Sequence, residues 1–150
     1  MPTIKTEEYI EVIYEVTKKK GYARVKDVAE MLDVGLSTVS EMFQKLSNEG
    51  LINYEKYSGV TLTDDGENLA IMLNKRHATI RNFLNLLGLP ADFADKEACV
   101  LEHVMEKETI DRLTCFVEFI GEIDNPLWLE RFKKYCKTGD IGKCPRHYED

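Results

Sequence analysis

The sequence predicts a mainly α-helical fold with one small β-hairpin. Three observations support this: apolar residues recur at helical spacing along most of the chain, Gly or Pro follows several of these stretches, and one Ser-Gly step separates two short runs with strand character. A chain of 150 residues can bury one good core, or two small cores that share a long helix. With 43% hydrophobic and 31% charged residues, the chain is expected to fold as an ordinary globular protein.

Each predicted helix has an apolar stripe and a residue that favours its start or its end. Thr6 is expected to cap the first helix, because its hydroxyl suits an N-cap and two glutamates follow it. Gly35 is expected to supply the unusual backbone of the turn before the third helix. Gly88 and Pro90 are expected to end the long helix. The predicted helices are residues 7–20, 26–32, 36–49, 64–87, 96–105, 109–120 and 127–135.

Residues 51–56 and 60–63 have the character of two short strands, and Ser58 with Gly59 suits the turn between them. Two helices around a tight turn, followed by such a hairpin, are typical of a winged helix-turn-helix. The predicted organisation is therefore a winged helix-turn-helix domain at 1–63, a helical domain at 64–135 and a C-terminal tail at 136–150.

The third helix has a small, polar outer side, as expected of a helix that reads DNA. The net charge of −7 argues against nucleic acid only weakly, because binding can be confined to one face. Glu41 on this side could accept a hydrogen bond from a cytosine amino group, or could weaken non-specific binding. Base or phosphate contacts are expected from Ser37, Thr38, Ser40, Gln44 and Lys45, and wing contacts from Lys56 and Tyr57.

The helical second half is too small to fold independently and is apolar enough to need a partner surface. A homodimer meets that need, since two equivalent winged domains would read a two-fold symmetric operator in double-stranded DNA. A signal peptide and a membrane-spanning stretch are not expected, so the protein is predicted to be cytoplasmic, with no membrane partner.

Cys99, Glu102 and His103 stand at i, i+3 and i+4, which would place thiolate, carboxylate and imidazole on one helix face. These groups are ligands for first-row transition metals, although such a triplet alone is more often structural. His77 interrupts the apolar stripe of the long helix, where a hydrogen-bonded core histidine is the ordinary interpretation. Acidic residues of the first helix, Glu8 and Glu11, would ordinarily be solvated.

The chain resembles the diphtheria toxin repressor and manganese transport regulator family of metal-dependent repressors. The resemblance covers residues 4 to about 120, and its most specific part is Cys-x-x-Glu-His followed by Val-Met. The matching segments are residues 7–15, 28–29, 37–40, 54–57, 62–63, 75–77, 97–99 and 101–105.

The resemblance implies a pair of adjacent metal sites where the DNA-binding and dimerisation domains meet. Cys99 is like the iron-responsive branch, whereas Glu8 and Glu11 are like the manganese branch. Because thiolate is the more discriminating ligand, Fe(II) is the favoured metal and Mn(II) a close second. Arg81 stands where the iron branch has an acidic ligand of its second site. The implied ligands are Glu8, Glu11, His77, Cys99, Glu102 and His103.

The implied function is a metal-dependent repressor of metal-homeostasis genes, in a short two-domain form without a third, SH3-like domain. It would be neither an enzyme nor a protein with an organic small-molecule substrate. Two alternatives remain open: a winged-helix regulator switched by oxidation of Cys99, and, less favoured, a metal-dependent hydrolase.

The tail contains Cys136, Cys144 and His147, which could form part of a second metal site. Only three candidate ligands are present there, whereas a closed structural zinc site needs four. A tail with incidental thiols is the favoured interpretation, and no secretory context points to disulfides.

Overall fold

The computed structural model describes residues 2–55, 57–124 and 126–142. Within these ranges it confirms a mainly α-helical fold with one two-stranded antiparallel sheet. None of the helices in them combines the length and the apolar character required to span a membrane. The elements are α1 (Ile4–Lys20), α2 (Val25–Leu32), α3 (Leu36–Asn48), β1 (Ile52–Glu55), β2 (Gly59–Leu62), α4 (Asp64–Leu86), α5 (Ala91–Leu101), α6 (Lys107–Glu122) and α7 (Leu127–Thr138).

The chain divides into two compact units that interleave in sequence. The first comprises Met1–His77 and Glu102–Val104, and the second comprises Ala78–Leu101 and Met105–Asp150. Unit 1 continues to His77 because the start of α4 packs on the winged-helix core, in which Ala70 is buried. The domain boundaries after residues 63 and 135 stay predictions.

Helix α1 starts three residues earlier than expected. Thr3 is its N-cap, and the Thr3 hydroxyl accepts a hydrogen bond from the Thr6 backbone N–H at 3.2 Å. Thr6 is fully buried inside the first turn instead of capping it. The expected cap was wrong because Thr3 also satisfies an unpaired N–H of the first turn, and the earlier start lets Thr6 pack inward.

The core of unit 1 joins α1, α2, α3 and the hairpin. Ile10 and Ile13 of α1 are fully buried in the same cluster as Phe43 of α3 and Val60 of β2. Phe43 also meets the Tyr54 ring edge-on, with ring centroids 5.6 Å apart. Each such side chain contributes roughly 1.5–3 kcal/mol by burial, so the position of α1 is coupled to that of α3.

The turn between α2 and α3 uses a different residue than expected. Asp33 takes the left-handed backbone, with φ 52°, and Gly35 has φ −69°, which any residue can adopt. The expectation for Gly35 was therefore wrong. Aspartate tolerates this conformation better than most residues.

The wing is a hairpin in which Ile52 pairs with Leu62 and Glu55 with Gly59. Tyr57 in its loop has φ 75° and is 93% exposed. Ala23 anchors the wing to the rest of unit 1, because Ala23 and Val60 exchange backbone hydrogen bonds of 2.9 and 2.7 Å.

A close backbone contact fixes the start of α4 against the segment that leads into β1. The Thr63 hydroxyl donates to the Gly50 carbonyl at 2.7 Å and accepts from the Gly66 N–H at 3.1 Å. A Cβ on Gly66 would lie 2.0 Å from the Leu51 carbonyl oxygen. Glycine is therefore required at position 66 by space, not by its backbone angles.

Unit 2 has a small core of its own around Ile80, Ala98 and Ile110. Helix α5 covers Ala91–Leu101, whereas the sequence predicted 96–105. The prediction was wrong at both ends because the α5 residues that pack inward are the small Ala94 and Ala98, which give a weak apolar stripe.

Candidate metal site and DNA-binding face

Helix α1 presents two carboxylates from the same face. Glu7 and Glu11 are four residues apart, so their side chains leave the helix one turn apart and nearly in line. Glu7 is buried, Glu11 is half-buried, and Glu8 is exposed. The inward carboxylate of the first turn is thus Glu7.

The His103 ring lies against both of these carboxylates, in the turn that follows α5. Its Nδ1 is 2.7 Å from Glu7 Oε2, which is a short hydrogen bond. Its Nε2 is 3.4 Å from Glu11 Oε2 and 3.3 Å from Glu102 Oε1. Each ring nitrogen therefore faces an acidic side chain.

Glu102 is the most deeply buried acid among the described residues, with 1% of its surface exposed. Its Oε2 lies 3.3 Å from His77 Nδ1, yet no hydrogen bond reaches this oxygen. The distance between His77 Nδ1 and Glu102 Oε2 is short enough for an ion pair, but this contact does not give Oε2 a hydrogen bond. A buried oxygen without a hydrogen bond calls for another partner, and a cation is one such partner.

The surroundings shift the pKa values of both central groups upward. Burial, and next the negative charge of Glu11, raise the pKa of the Glu102 carboxyl to about 8. Hydrogen bonding to Glu11, and further to Glu7, raises the pKa of the His103 imidazole to about 9, although burial opposes it. Both groups therefore hold a proton near neutral pH, and a cation would compete with those protons.

The donor set fits a divalent transition metal. Glu11, Glu102 and His103 each offer one ligand atom, and these atoms all lie within 4.8 Å of one another. Two carboxylates and one imidazole suit Mn(II) or Fe(II), whereas a softer ion would be bound by several thiolates. The orphaned oxygen of Glu102 and the convergence of these three groups make this the candidate metal centre.

The structure brings four of the six expected ligands together within unit 1. Glu11, His77, Glu102 and His103 lie in unit 1, whereas Cys99 is an exposed residue of α5 in unit 2. The expectation that one helix face carries Cys99, Glu102 and His103 was wrong, because α5 ends at Leu101. The metal roles of all six residues stay predictions.

Among the acidic residues of the first helix, the sequence pointed to Glu8 and Glu11 as candidate ligands and gave Glu7 no such role. Its spacing of four from Glu11 and three from the buried Ile10 could have indicated an inward position.

The expected DNA-binding face is accessible on unit 1. Ser37, Thr38 and Gln44 of α3 are exposed, Ser40 is half-buried, and Tyr57 projects from the wing loop. Lys45 is also exposed and lies 3.9 Å from Glu49, a loose surface ion pair. Glu41 is exposed on the same helix. Lys56 lies outside the described residues.

The tail site stays untested. Cys136 is exposed near the end of α7. Cys144 and His147 lie outside the described residues.

Similar proteins support the family expected from the sequence. The chain is 41% identical over 122 residues to the HTH-type transcriptional regulator MntR of Lysinibacillus sphaericus, covering 81% of this chain and 88% of the relative. It is 40% identical over 133 residues to MntR of Listeria welshimeri, covering 89% and 92%. These matches span nearly the whole of each relative.

Solved structures give the same result for the fold. The structure of the manganese regulator SloR matches with a TM-score of 0.65 and 36% identity, over 79% of this chain and 55% of that chain. The crystal structure of T. acidophilum IdeR matches with a TM-score of 0.66 and 28% identity, over 77% and 53%. The chain thus spans about half the length of these solved chains.

Two family models cover most of the sequence. Residues 1–60 match the N-terminal DNA binding domain of iron dependent repressors, and residues 63–124 match their metal binding and dimerisation domain. The resemblance that the sequence motifs indicated is confirmed by these matches. The chain belongs to the iron dependent repressor family.

Proposed function

We propose that this chain represses metal-homeostasis genes with Mn(II) as its corepressor. Membership of the family gives the general function, a metal-dependent DNA-binding transcriptional repressor with a dimerisation domain. The proposal rests on the convergence of Glu11, Glu102 and His103, and on the second oxygen of the buried Glu102 carboxyl, Oε2, which has no hydrogen bond.

The choice of manganese rests on the donor atoms and on the relatives. The cluster in unit 1 offers carboxylate oxygens and imidazole nitrogens, and oxygen-rich sets suit manganese. Relatives named MntR, and a structure titled as a manganese regulator, favour the same ion. The preference for Fe(II), which rested on the Cys99 thiolate, finds no support in these relatives. Fe(II) is retained as the second candidate.

A cation bound in this cluster would connect three separate parts of unit 1. Glu11 lies on α1, His77 on α4, and Glu102 with His103 in the segment after α5. Since Ile10 and Ile13 on α1 share a core with Phe43 on α3, holding α1 in place also restricts α3, the recognition helix of this proposal. Metal favours the arrangement of unit 1 that binds DNA only to the extent that it binds this arrangement more tightly than an arrangement that does not bind DNA.

The wider ligand set is part of this proposal. Glu8 and Cys99 would join the four clustered residues to form a pair of metal sites, as the resemblance implies. The winged domain at 1–63 would contact a two-fold symmetric operator, and the helical domain at 64–135 would form the homodimer. Ser37, Thr38, Ser40, Gln44, Lys45, Lys56 and Tyr57 would make the DNA contacts. Such a repressor has no need of enzymatic activity and works in the cytoplasm, where it meets its operator.

The test is operator binding against a series of metals. Operator duplexes are first selected from random DNA with the protein and Mn(II), under reducing and anaerobic conditions. Mobility shifts then compare Mn(II), Fe(II) and Zn(II) with the chelated protein. We expect tight binding with Mn(II) and loss of binding on chelation. His103→Ala should lose the response, whereas Glu15→Gln, an exposed change on the same helix, should retain it.

Two results would contradict the proposal. Binding that persists without metal and responds only to peroxide would favour the redox alternative, and Cys99→Ser would then abolish the response. Stronger activation by Fe(II) than by Mn(II), at equal free concentration, would reverse the assignment of the metal.

A further inference from the structure

We propose that Glu7 is a positioning residue that holds the His103 ring so that Nε2 is the nitrogen available to the metal. Glu7 would accept the Nδ1–H hydrogen bond and would not itself bind the ion. This inference rests on the proposed metal site and adds a residue that the family resemblance did not supply.

The contact between Glu7 and His103 is short and enclosed. The Glu7 Oε2 to His103 Nδ1 distance is 2.7 Å, and the two side chains are 11% and 5% exposed. The residues are 96 positions apart in sequence, so this hydrogen bond depends on the folded unit. Little water reaches the pair, and an interaction between a carboxylate and an imidazole is correspondingly strong and well oriented.

The two ring nitrogens are thereby assigned different tasks. A carboxylate can only accept a hydrogen bond, so the short contact requires a proton on Nδ1. In a neutral imidazole this leaves Nε2 with a free lone pair. Nε2 is the atom that faces Glu11 at 3.4 Å and Glu102 at 3.3 Å. Of the two neutral tautomers, the one that keeps the hydrogen bond to Glu7 is therefore the one whose lone pair points to the other candidate ligands.

Glu7 stands outside the group of converging ligand atoms. Among the described residues, the set within 4.8 Å of one another contains Glu11, Glu102 and His103. Glu7 contributes from the opposite edge of the ring, one helical turn before Glu11. This arrangement matches the general pattern in which a carboxylate orients a metal-binding histidine through its second nitrogen.

Metal affinity of Glu7 variants tests the inference. Mn(II) is titrated into the full-length wild-type protein and into Glu7→Ala, Glu7→Gln and the control Glu15→Ala, with circular dichroism to verify folding. Loss of an orienting partner typically weakens metal binding by about 10- to 100-fold, and we expect this for Glu7→Ala. Glu7→Gln should lose less, because its amide oxygen can still accept the Nδ1–H bond. Glu15→Ala should match the wild type.

A spectroscopic readout separates positioning from a purely structural role. In ¹⁵N NMR of the wild-type protein loaded with diamagnetic Zn(II), we expect a protonated Nδ1 and a coordinated Nε2 for His103. Glu7→Gln should retain this pattern, so the inference remains testable even if Glu7→Ala fails to fold.

The outcomes distinguish the two proposals. Coordination through Nδ1, or an affinity of Glu7→Gln below that of a folded Glu7→Ala, overturns the positioning role while leaving the metal site intact. A folded Glu7→Ala that binds Mn(II) within about twofold of the wild type does the same. A wild-type protein that binds neither ion overturns both.

Discussion

Metal binding at this cluster should release protons, and the number can be worked out from two pKa values. The Glu102 carboxyl has a pKa of about 8 and the His103 imidazole a pKa of about 9, so both are protonated at neutral pH. Coordination requires a carboxylate and a neutral imidazole. We therefore expect up to about two protons to leave for each ion bound near pH 7.

The apparent affinity should rise steeply with pH as a result. Each released proton contributes about tenfold per pH unit, or about 1.4 kcal/mol, so two protons give about 100-fold per unit below pH 8. Between the two pKa values the slope should fall to about tenfold per unit, and above the higher one it should vanish.

Calorimetric titration with Mn(II) measures this effect directly. The titration is run anaerobically between about pH 6.5 and 7.5, in buffers with different ionisation enthalpies, which reports the number of protons released. Glu15→Gln serves as the control, because Glu15 is exposed and lies on the same helix. A proton count near zero, or an affinity independent of pH in this range, would refute the reasoning.

Three further predictions concern stability and DNA binding. The metal-free protein should become less stable to urea as pH rises from 4.5 to about 9, because folding raises the pKa of both the Glu102 carboxyl and the His103 imidazole. The contribution of each group to the free energy of unfolding is fully present below its ordinary pKa and is lost as pH rises through its raised pKa. A stability that increases over this range would contradict this. Gly66→Ala should lower the free energy of unfolding by about 3 kcal/mol, since the new Cβ would lie 2.0 Å from the Leu51 carbonyl oxygen. The control Gly121→Ala has open space around the new Cβ, so it should be neutral or stabilising by up to about 1 kcal/mol. Lys45→Ala should weaken operator binding equally across sequences and reduce the salt slope by about one, and a change in base preference would count against a phosphate contact.

The winged-helix half was predictable because its signals are local. The hairpin appears where Ser58 and Gly59 separate two strand-like runs, and each end of its two strands lies one residue from the prediction. The start of α1 was less predictable, since Thr3 and Thr6 are both good caps and only the packing of Thr6 in the core distinguishes them.

The candidate metal cluster was predictable in part, through the resemblance more than through spacing. Glu11 lies on α1, His77 on α4, and Glu102 with His103 in the segment after α5, and no local pattern brings these three segments together. The choice between Glu7 and Glu8 depends on how α1 is rotated against its neighbours, since both lie about one turn from Glu11. That rotation follows from tertiary packing, which local spacing does not specify.

The return of residues 102–104 into unit 1 constrains how this protein can be divided. A fragment that ends at His77 would keep the recognition helix and the wing but would lack Glu102 and His103. During synthesis, the winged helix can assemble before these residues emerge, whereas the acidic cluster must wait for a segment from the second half of the chain. Under the proposed function, we expect that grafting the winged helix onto another scaffold transfers DNA recognition without metal control, and that a chimera which keeps the control must carry residues 102–104 as well.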